Sequence, residues 1–420
     1  MLRRLLIVIC GWSLALYATG GLAAEAWNRF RGPNGSGVGQ AAGLPNTWTD
    51  ADYRWTAELP GRGISSPVVW GERLFVTAAD ETKLERSLLC YSAPDGKLLW
   101  SQSVPFTKEK KHQLNSFATN TPAVDEARVY TVWQSREAAE LLAYDHDGRL
   151  LWTHPLPPYK SGHGGGISPV VVDGIVALNY NQEGESALIG VEAATGLERW
   201  KVKRQSAKAN YSTPCVFTDA ANRPTLVFTA WRHGMTGVDP ATGKVVWEKP
   251  DLFQPDDGEA KRSIGSPFTD GKLIYGTCGF VGGKKLLLAL KPQTGGGNAE
   301  PDVAFKIERN VNHMPTALVH DGLLFMWSDA GIVVCAAADT GKTIWQERIG
   351  GNFSGSPICV DGKLYCVSEE GEVVVLAAAK EFAELGRVKL GEGSSSTPAV
   401  ADGTLYLRTY SKLYALGPKR

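Results

Sequence analysis

The chain has 420 residues, 43% of them hydrophobic and 21% charged, which excludes a disordered or membrane-filling protein and fits an ordinary globular one. Its 44 basic and 44 acidic residues cancel to a net charge of +0, so no global field draws it to nucleic acid. The 7 cysteines are scattered, with no adjacent pair and no Cys-x-x-Cys, so no zinc site is indicated.

Arg3 and Arg4 precede a mostly apolar run over residues 5–16, and small residues follow at Gly20, Gly21, Ala23, Ala24 and Ala26. This is the layout of a secretory signal peptide, assigned to residues 1–24, with cleavage near Ala23 to Ala26. The rival reading is an uncleaved anchor, but the run falls short of the roughly 20 residues a span needs. Cys10 follows Ile9, whereas a lipoprotein signal wants a small residue there, so no lipid anchor is expected. No later stretch is long and apolar enough to form a transmembrane segment. The expected location is periplasmic or secreted.

Residues 25–52 read as a Gly-rich surface segment. Its Phe30-Arg31-Gly32-Pro33-Asn34-Gly35-Ser36-Gly37 stretch lacks the Lys-Ser/Thr ending of a phosphate loop and does not sit between a strand and a helix. It is expected to pack on the outer wall of the fold. Residues 53–59 form an orphan strand carrying Trp55.

From there a phrase recurs: Ser/Thr-Pro, an apolar run, a tight turn, two further apolar runs, a Gly turn and a Trp. Pro67, Pro122, Pro169, Pro214, Pro267, Pro315, Pro357 and Pro398 mark it, at a mean spacing of about 47 residues, in the range of propeller blades. In the unit opened by Ser168-Pro169, residues 170–172 are strand one, Asp173-Gly174 is a hairpin turn and 175–178 are strand two. A polar loop over 179–185, a third strand over 187–191, the Ala194-Thr195-Gly196 turn and a strand opening at 197–200 complete it. Trp100, Trp152, Trp200, Trp247 and Trp345 mark strand four, Phe305 takes that place in the fifth unit, and the seventh has no aromatic. Radial sheets diverge outward, so a Trp there fills the gap between blades, its indole N–H bonded to neighbouring backbone. The eighth unit stops after three strands, and residues 53–59 supply the fourth. The predicted fold is all-β: an eight-bladed propeller of four-stranded antiparallel blades over residues 53–420, the ring closed by an N-terminal strand. Cys359 and Cys366 flank the Asp361-Gly362 turn; a disulfide between them is open, but small buried strand residues are the preferred reading.

One face of such a ring holds tight Asp-Gly and Thr-Gly turns. The other carries the longer polar loops, so a small-molecule site belongs there, at the channel mouth. The candidate ligand-binding residues are His112, Asn115, Asn181, Arg204, Tyr211, Arg232 and His313. Further cations at the mouth include Lys111, Lys208, Lys261, Arg262, Arg309 and Arg408, tempered by Asp256, Asp257, Glu259 and Glu392. Arg, Lys, His and Asn converging there would suit a small anionic or glycan ligand. Asp329, Glu183 and Glu369 are the acids that could act as bases, although no catalytic set can be read.

The Val238-Asp239-Pro240-Ala241-Thr242-Gly243-Lys244-Val245-Val246-Trp247 and Ala338-Asp339-Thr340-Gly341-Lys342-Thr343-Ile344-Trp345 phrases resemble the PQQ-like, or quinoprotein-type, β-propeller superfamily. The likeness spans about residues 53–417 and implies eight blades. Trp27-Asn28-Arg29-Phe30-Arg31-Gly32-Pro33, Asn115-Ser116-Phe117-Ala118 and Tyr211-Ser212-Thr213-Pro214 look like an exported bacterial subfamily with no assigned activity. Quinoprotein dehydrogenases have an adjacent Cys-Cys, a Glu and Asn for calcium and an Asp base; this chain has no Cys-Cys and no haem Cys-x-x-Cys-His. The resemblance therefore brings PQQ and calcium only as cofactors of the alternative, an oxidoreductase with Asn115, Asn181, Arg204 and Arg232 as contacts. A second relative, the propeller lipoprotein of outer-membrane barrel assembly, makes a scaffold with an envelope protein partner the other alternative. The first reading is an exported, non-catalytic binding module.

Overall fold

The computed structural model describes residues 26–253, 262–280, 283–293 and 299–418. The signal-peptide assignment and Lys261, Asp256, Asp257 and Glu259 lie outside them. The strands form eight sheets, seven built from consecutive segments over 68–105, 123–156, 170–204, 215–249, 268–307, 318–348 and 358–389. The eighth combines Ala399–Ala401, Thr404–Arg408 and Lys412–Leu416 with Tyr53–Glu58 as its outermost strand. Tyr53–Glu58 pairs antiparallel with Lys412–Leu416, so the N-terminal strand closes the ring.

Local chemistry explains the blades. At Asp173-Gly174, Asp321-Gly322, Asp361-Gly362 and Asp402-Gly403 both residues have positive φ, the conformation that matches a two-residue turn to the twist of its strands. Strand two of the third blade runs to Tyr180, beyond the expected end, so Asn179 is a strand residue rather than part of a polar loop. In the sixth blade the phrase slips: Thr316 takes the Ser/Thr place and Ala317 the Pro place, because Leu318 pairs with Phe325 as Val68 does with Phe75. Pro315 is thus a loop residue. Cys359 lies opposite Leu364, and Cys359 and Cys366 are both buried free thiols.

The outer Trp side chains seal the perimeter as expected. The indole N–H of Trp55, Trp100, Trp152, Trp200 and Trp345 donates to Ala93, His146, Ala193, Pro240 and Ala379 of the following blade at 2.8–3.0 Å. Each of the first four rings lies under the Gly of that blade's second turn: a Cβ at Gly96, Gly148, Gly196 or Gly243 would stand 2.5–2.7 Å from it. In the seventh blade Gly386 occupies the Trp register, opposite Val375 as Trp345 is opposite Cys335. Backbone from the N-terminal segment fills that gap, since a Cβ at Gly386 would meet the Asn46 carbonyl at 2.4 Å. Trp48, buried nearby, donates to the Tyr53 hydroxyl at 2.9 Å.

The N-terminal segment divides: Asn46 packs on the outer wall at blade seven, as expected, while residues 27–39 enter the channel. Its carbonyls at Trp27 and Asn28 accept from Val69 and Val124 on strand one of the first two blades, at 2.9 and 2.8 Å. Phe30 stands at the top, and the chain returns through a Gly-rich turn. Asn34 pairs twice with Val216 at 2.7 Å, and Val38–Gly39 runs parallel to Ile358–Val360. Ala41 then meets the Asp361 carboxylate at the tight-turn face, and the chain crosses to blade eight. The physical reason is that every strand one presents an unpaired edge to the channel. Polar Gly-rich chain satisfies those edges; its composition resembles a surface loop because its partners are backbone, not apolar side chains.

Candidate binding cavity at the channel mouth

The Ser/Thr of the repeat phrase forms a collar at the loop-rich end of the channel. Ser66, Thr121, Ser168, Thr213, Ser266, Thr316, Ser356 and Thr397 all face one cavity of about 190 Å³. The backbone N–H of Ser66, Thr121, Thr213, Ser266, Thr316 and Ser356 each donates to the hydroxyl of the next blade's collar residue at 2.8–2.9 Å. At the closing seam Arg408 donates to the Ser65 carbonyl at 2.9 Å and to the Thr77 carbonyl at 2.7 Å instead. A hydroxyl that has accepted one bond still carries an O–H to donate. The collar therefore locks the blades together and presents donors to the cavity.

Phe30 forms the floor, and Ile64, Leu114, Ile264 and Met314 add apolar surface. His112, Asn115, His163 and Tyr211 line one side. Their loops are laced together: the His112 N–H and the Asn115 amide donate to the His163 carbonyl at 3.1 and 2.6 Å, and the Tyr211 hydroxyl bonds Ser161 and Gly164. The two imidazoles lie nearly parallel, at 10° with centroids 5.2 Å apart. Arg262 donates to His163 Nδ1 at 3.1 Å, and the Leu114 N–H donates to His112 Nδ1 at 3.3 Å. An Arg can only donate, so Nδ1 of His163 is the acceptor and Nε2 carries the proton. Burial, then Arg262 and His112, holds the His163 pKa below its usual value, which keeps it neutral.

Of the residues singled out from sequence, His112, Asn115 and Tyr211 meet at this cavity. The others do not. Asn181 is fully buried beside Asn179. Arg204 is buried against Glu248 and Thr236. Arg232 is exposed and stacks on Trp231. His313 is buried outside the cavity lining, where burial, aided by Lys285 and Arg262 against Asp329, pushes its pKa down to about 4. The acids considered as bases are anchors for cavity loops. Asp329 accepts from the Met314 N–H at 2.9 Å and pairs with Lys285 at 2.7 Å. Glu183 faces Arg262 at 3.5 Å, and Glu369 accepts from Ser354. The collar and Phe30 extend the lining beyond His112, Asn115 and Tyr211, and the collar's signal in the sequence is the Ser/Thr of the repeat phrase itself.

Among the described residues no Lys, Arg, Asp or Glu lines the cavity. Parallel imidazoles aim their lone pairs along parallel lines, not at one point, so the pair makes no chelate. Among the described residues no group of three or more His, Cys, Asp or Glu could hold a metal. PQQ is a fused-ring quinone with three carboxylates; this lining offers them no cation, and offers calcium no carboxylate. The residues do not fit that pair.

Fold and collar together define an eight-bladed PQQ-like propeller. The chain belongs to the family described as Outer membrane protein assembly factor BamB, whose model matches residues 46–105, 84–300 and 283–420. Among solved structures, BamB from Moraxella catarrhalis is 14% identical with a TM-score of 0.63, covering 87% of this chain and 98% of that one. A europium-containing methanol dehydrogenase is 12% identical with a TM-score of 0.67, covering 94% and 98%. Quinohemoprotein alcohol dehydrogenase from Comamonas testosteroni is 13% identical with a TM-score of 0.64, covering 94% and 81%. At these identities the likeness is one of fold. No curated protein matches the sequence.

Proposed function

We propose that this chain is a cell-envelope binding module, exported to the periplasm or beyond, whose channel-mouth cavity takes a small neutral, hydroxyl-rich ligand such as the end of a glycan. The observation that carries this reading is the lining: a collar of hydroxyls, two imidazoles and an amide around an apolar floor, with no charged side chain among the described residues. Hydroxyl and N–H groups pair with sugar oxygens, and Phe30 and Met314 suit an apolar ring face. A small anionic ligand loses support because Arg204, Arg232 and Arg408 are held by other partners away from the lining. The volume is below the range typical of drug-sized ligands, so one ring is the expected occupant.

The test is calorimetric titration of the mature protein with mono- and disaccharides of envelope glycans, beside PQQ with and without calcium. Saturable sugar binding, lost in Leu114→Trp, which fills the cavity, is the expected result. Tight calcium-dependent PQQ binding would overturn the reading and restore the oxidoreductase. A scaffold role is the second reading, favoured by the family. It requires an envelope partner whose binding survives Leu114→Trp.

A further inference from the structure

Arg29 and Arg31 flank Phe30 directly beneath the cavity, on the segment that plugs the channel. Arg29 is 5% exposed and Arg31 0%. Each meets a blade carbonyl: Arg29 donates to Pro214, and Arg31 donates to Ala317 at 2.9 Å and to Ser36 at 3.3 Å. These bonds leave Nε of Arg29, and Nε and Nη1 of Arg31, buried without a hydrogen-bond partner. Among the described residues no carboxylate pairs with either side chain. Burial lowers the pKa of Arg29 to about 10; burial and then Arg29 lower that of Arg31 to about 9. Both therefore stay charged at neutral pH.

The titratable groups that act on them favourably are thiols, Cys215 on Arg29 and Cys366 on Arg31. Burial pushes the Cys215 thiol up to about 12 and that of Cys366 higher still, so neither supplies a negative charge. Two like charges in a buried channel, with three unpartnered guanidinium nitrogens, are strongly unfavourable unless a counter-charge accompanies them. The space is tight: a Cβ at Gly37 would stand 2.5 Å from Arg31 Nη2, and one at Gly35 3.3 Å from Arg29 Nη2.

We propose that the channel plug binds a halide-sized inorganic anion, such as chloride, between the side-chain N–H groups of Arg29 and Arg31. The site accounts for a motif that the cavity does not use. The two arginines supply the donors, and Gly35 and Gly37, both at positive φ, bring the chain against the guanidinium groups. It is separate from the cavity above and does not depend on what that cavity takes.

The mature protein crystallised from sodium bromide tests it directly. An anomalous bromide peak within hydrogen-bond distance of Arg31 Nη1 or Nε is the expected result. Water or no density there, with bromide found only elsewhere, overturns the proposal. In solution, replacing gluconate by chloride at equal ionic strength should raise Tm by roughly 2–4 °C, the scale of a modest ligand-linkage effect. Arg31→Gln should lose that halide dependence while retaining a donor for Ala317. A Tm indifferent to halide in the parent protein would count against the site, whether or not the variant folds.

Discussion

The perimeter and the channel of this ring are sealed by opposite means. Outside, one device recurs: Trp55, Trp100, Trp152 and Trp200 each lie under the next blade's turn Gly and donate to its backbone. Inside, a single unrepeated segment meets different blades through different contacts, mostly backbone and guanidinium to backbone. Divergent blade edges need bulk, and bulk can be supplied blade by blade. Convergent strand-one edges leave one shared space, and only one chain can fill it. Blade seven joins the two regimes, because there the N-terminal segment takes the place of a missing Trp.

The strongest way to break this comparison is to remove the segment. Deleting residues 26–59 should abolish cooperative folding, since it opens blade eight, empties the channel and uncovers Gly386; circular dichroism melting like the parent's would sink the argument. Trp200→Ala should come next, at about 3–5 kcal/mol in denaturant unfolding, as for other buried Trp truncations. A loss under 1 kcal/mol would mean that the seams do not depend on the indoles.

The buried imidazole of His313 sharpens the inner side. Its folded pKa of about 4 lies below the unfolded value near 6.5, so the unfolded state binds the proton first. Its contribution is complete above pH 6.5 and is lost as the pH falls towards 4, by at most about 3 kcal/mol. His313→Gln should flatten the decline of Tm between pH 6.5 and 4; an unchanged slope would assign the decline to other groups. The smallest expected effect belongs to blade seven. Gly386→Trp, which restores the repeat, should destabilise by about 1–3 kcal/mol through overpacking against Asn46. A gain in stability would show that the segment only covers an otherwise sound blade.

Three of the seven candidate residues face the cavity. His112, Asn115 and Tyr211 sit on loops whose place above the channel follows from blade order, so listing loop residues found them. Arg204, Arg232 and His313 lie at the same level of the blades and point elsewhere: Arg204, at a strand end, is held by Glu248, the His313 backbone N–H donates to Asp329, and Arg232 is exposed on Trp231. A loop's face follows from topology; the direction of its side chains follows from partners that spacing does not reveal.

Periodicity by itself determined the blade number, the strand order, the Trp seams and the closing strand at Tyr53–Glu58. These are repeated local decisions, made by Asp-Gly turns and alternating apolar runs, and repetition makes them readable. The tertiary structure alone decided that Trp27–Gly39 lies inside the ring, that the Ser/Thr of the repeat phrase becomes a collar, and that the described lining of the cavity carries no charged side chain. Each of those depends on eight blades converging on one axis, a meeting of residues hundreds of positions apart that no local pattern encodes.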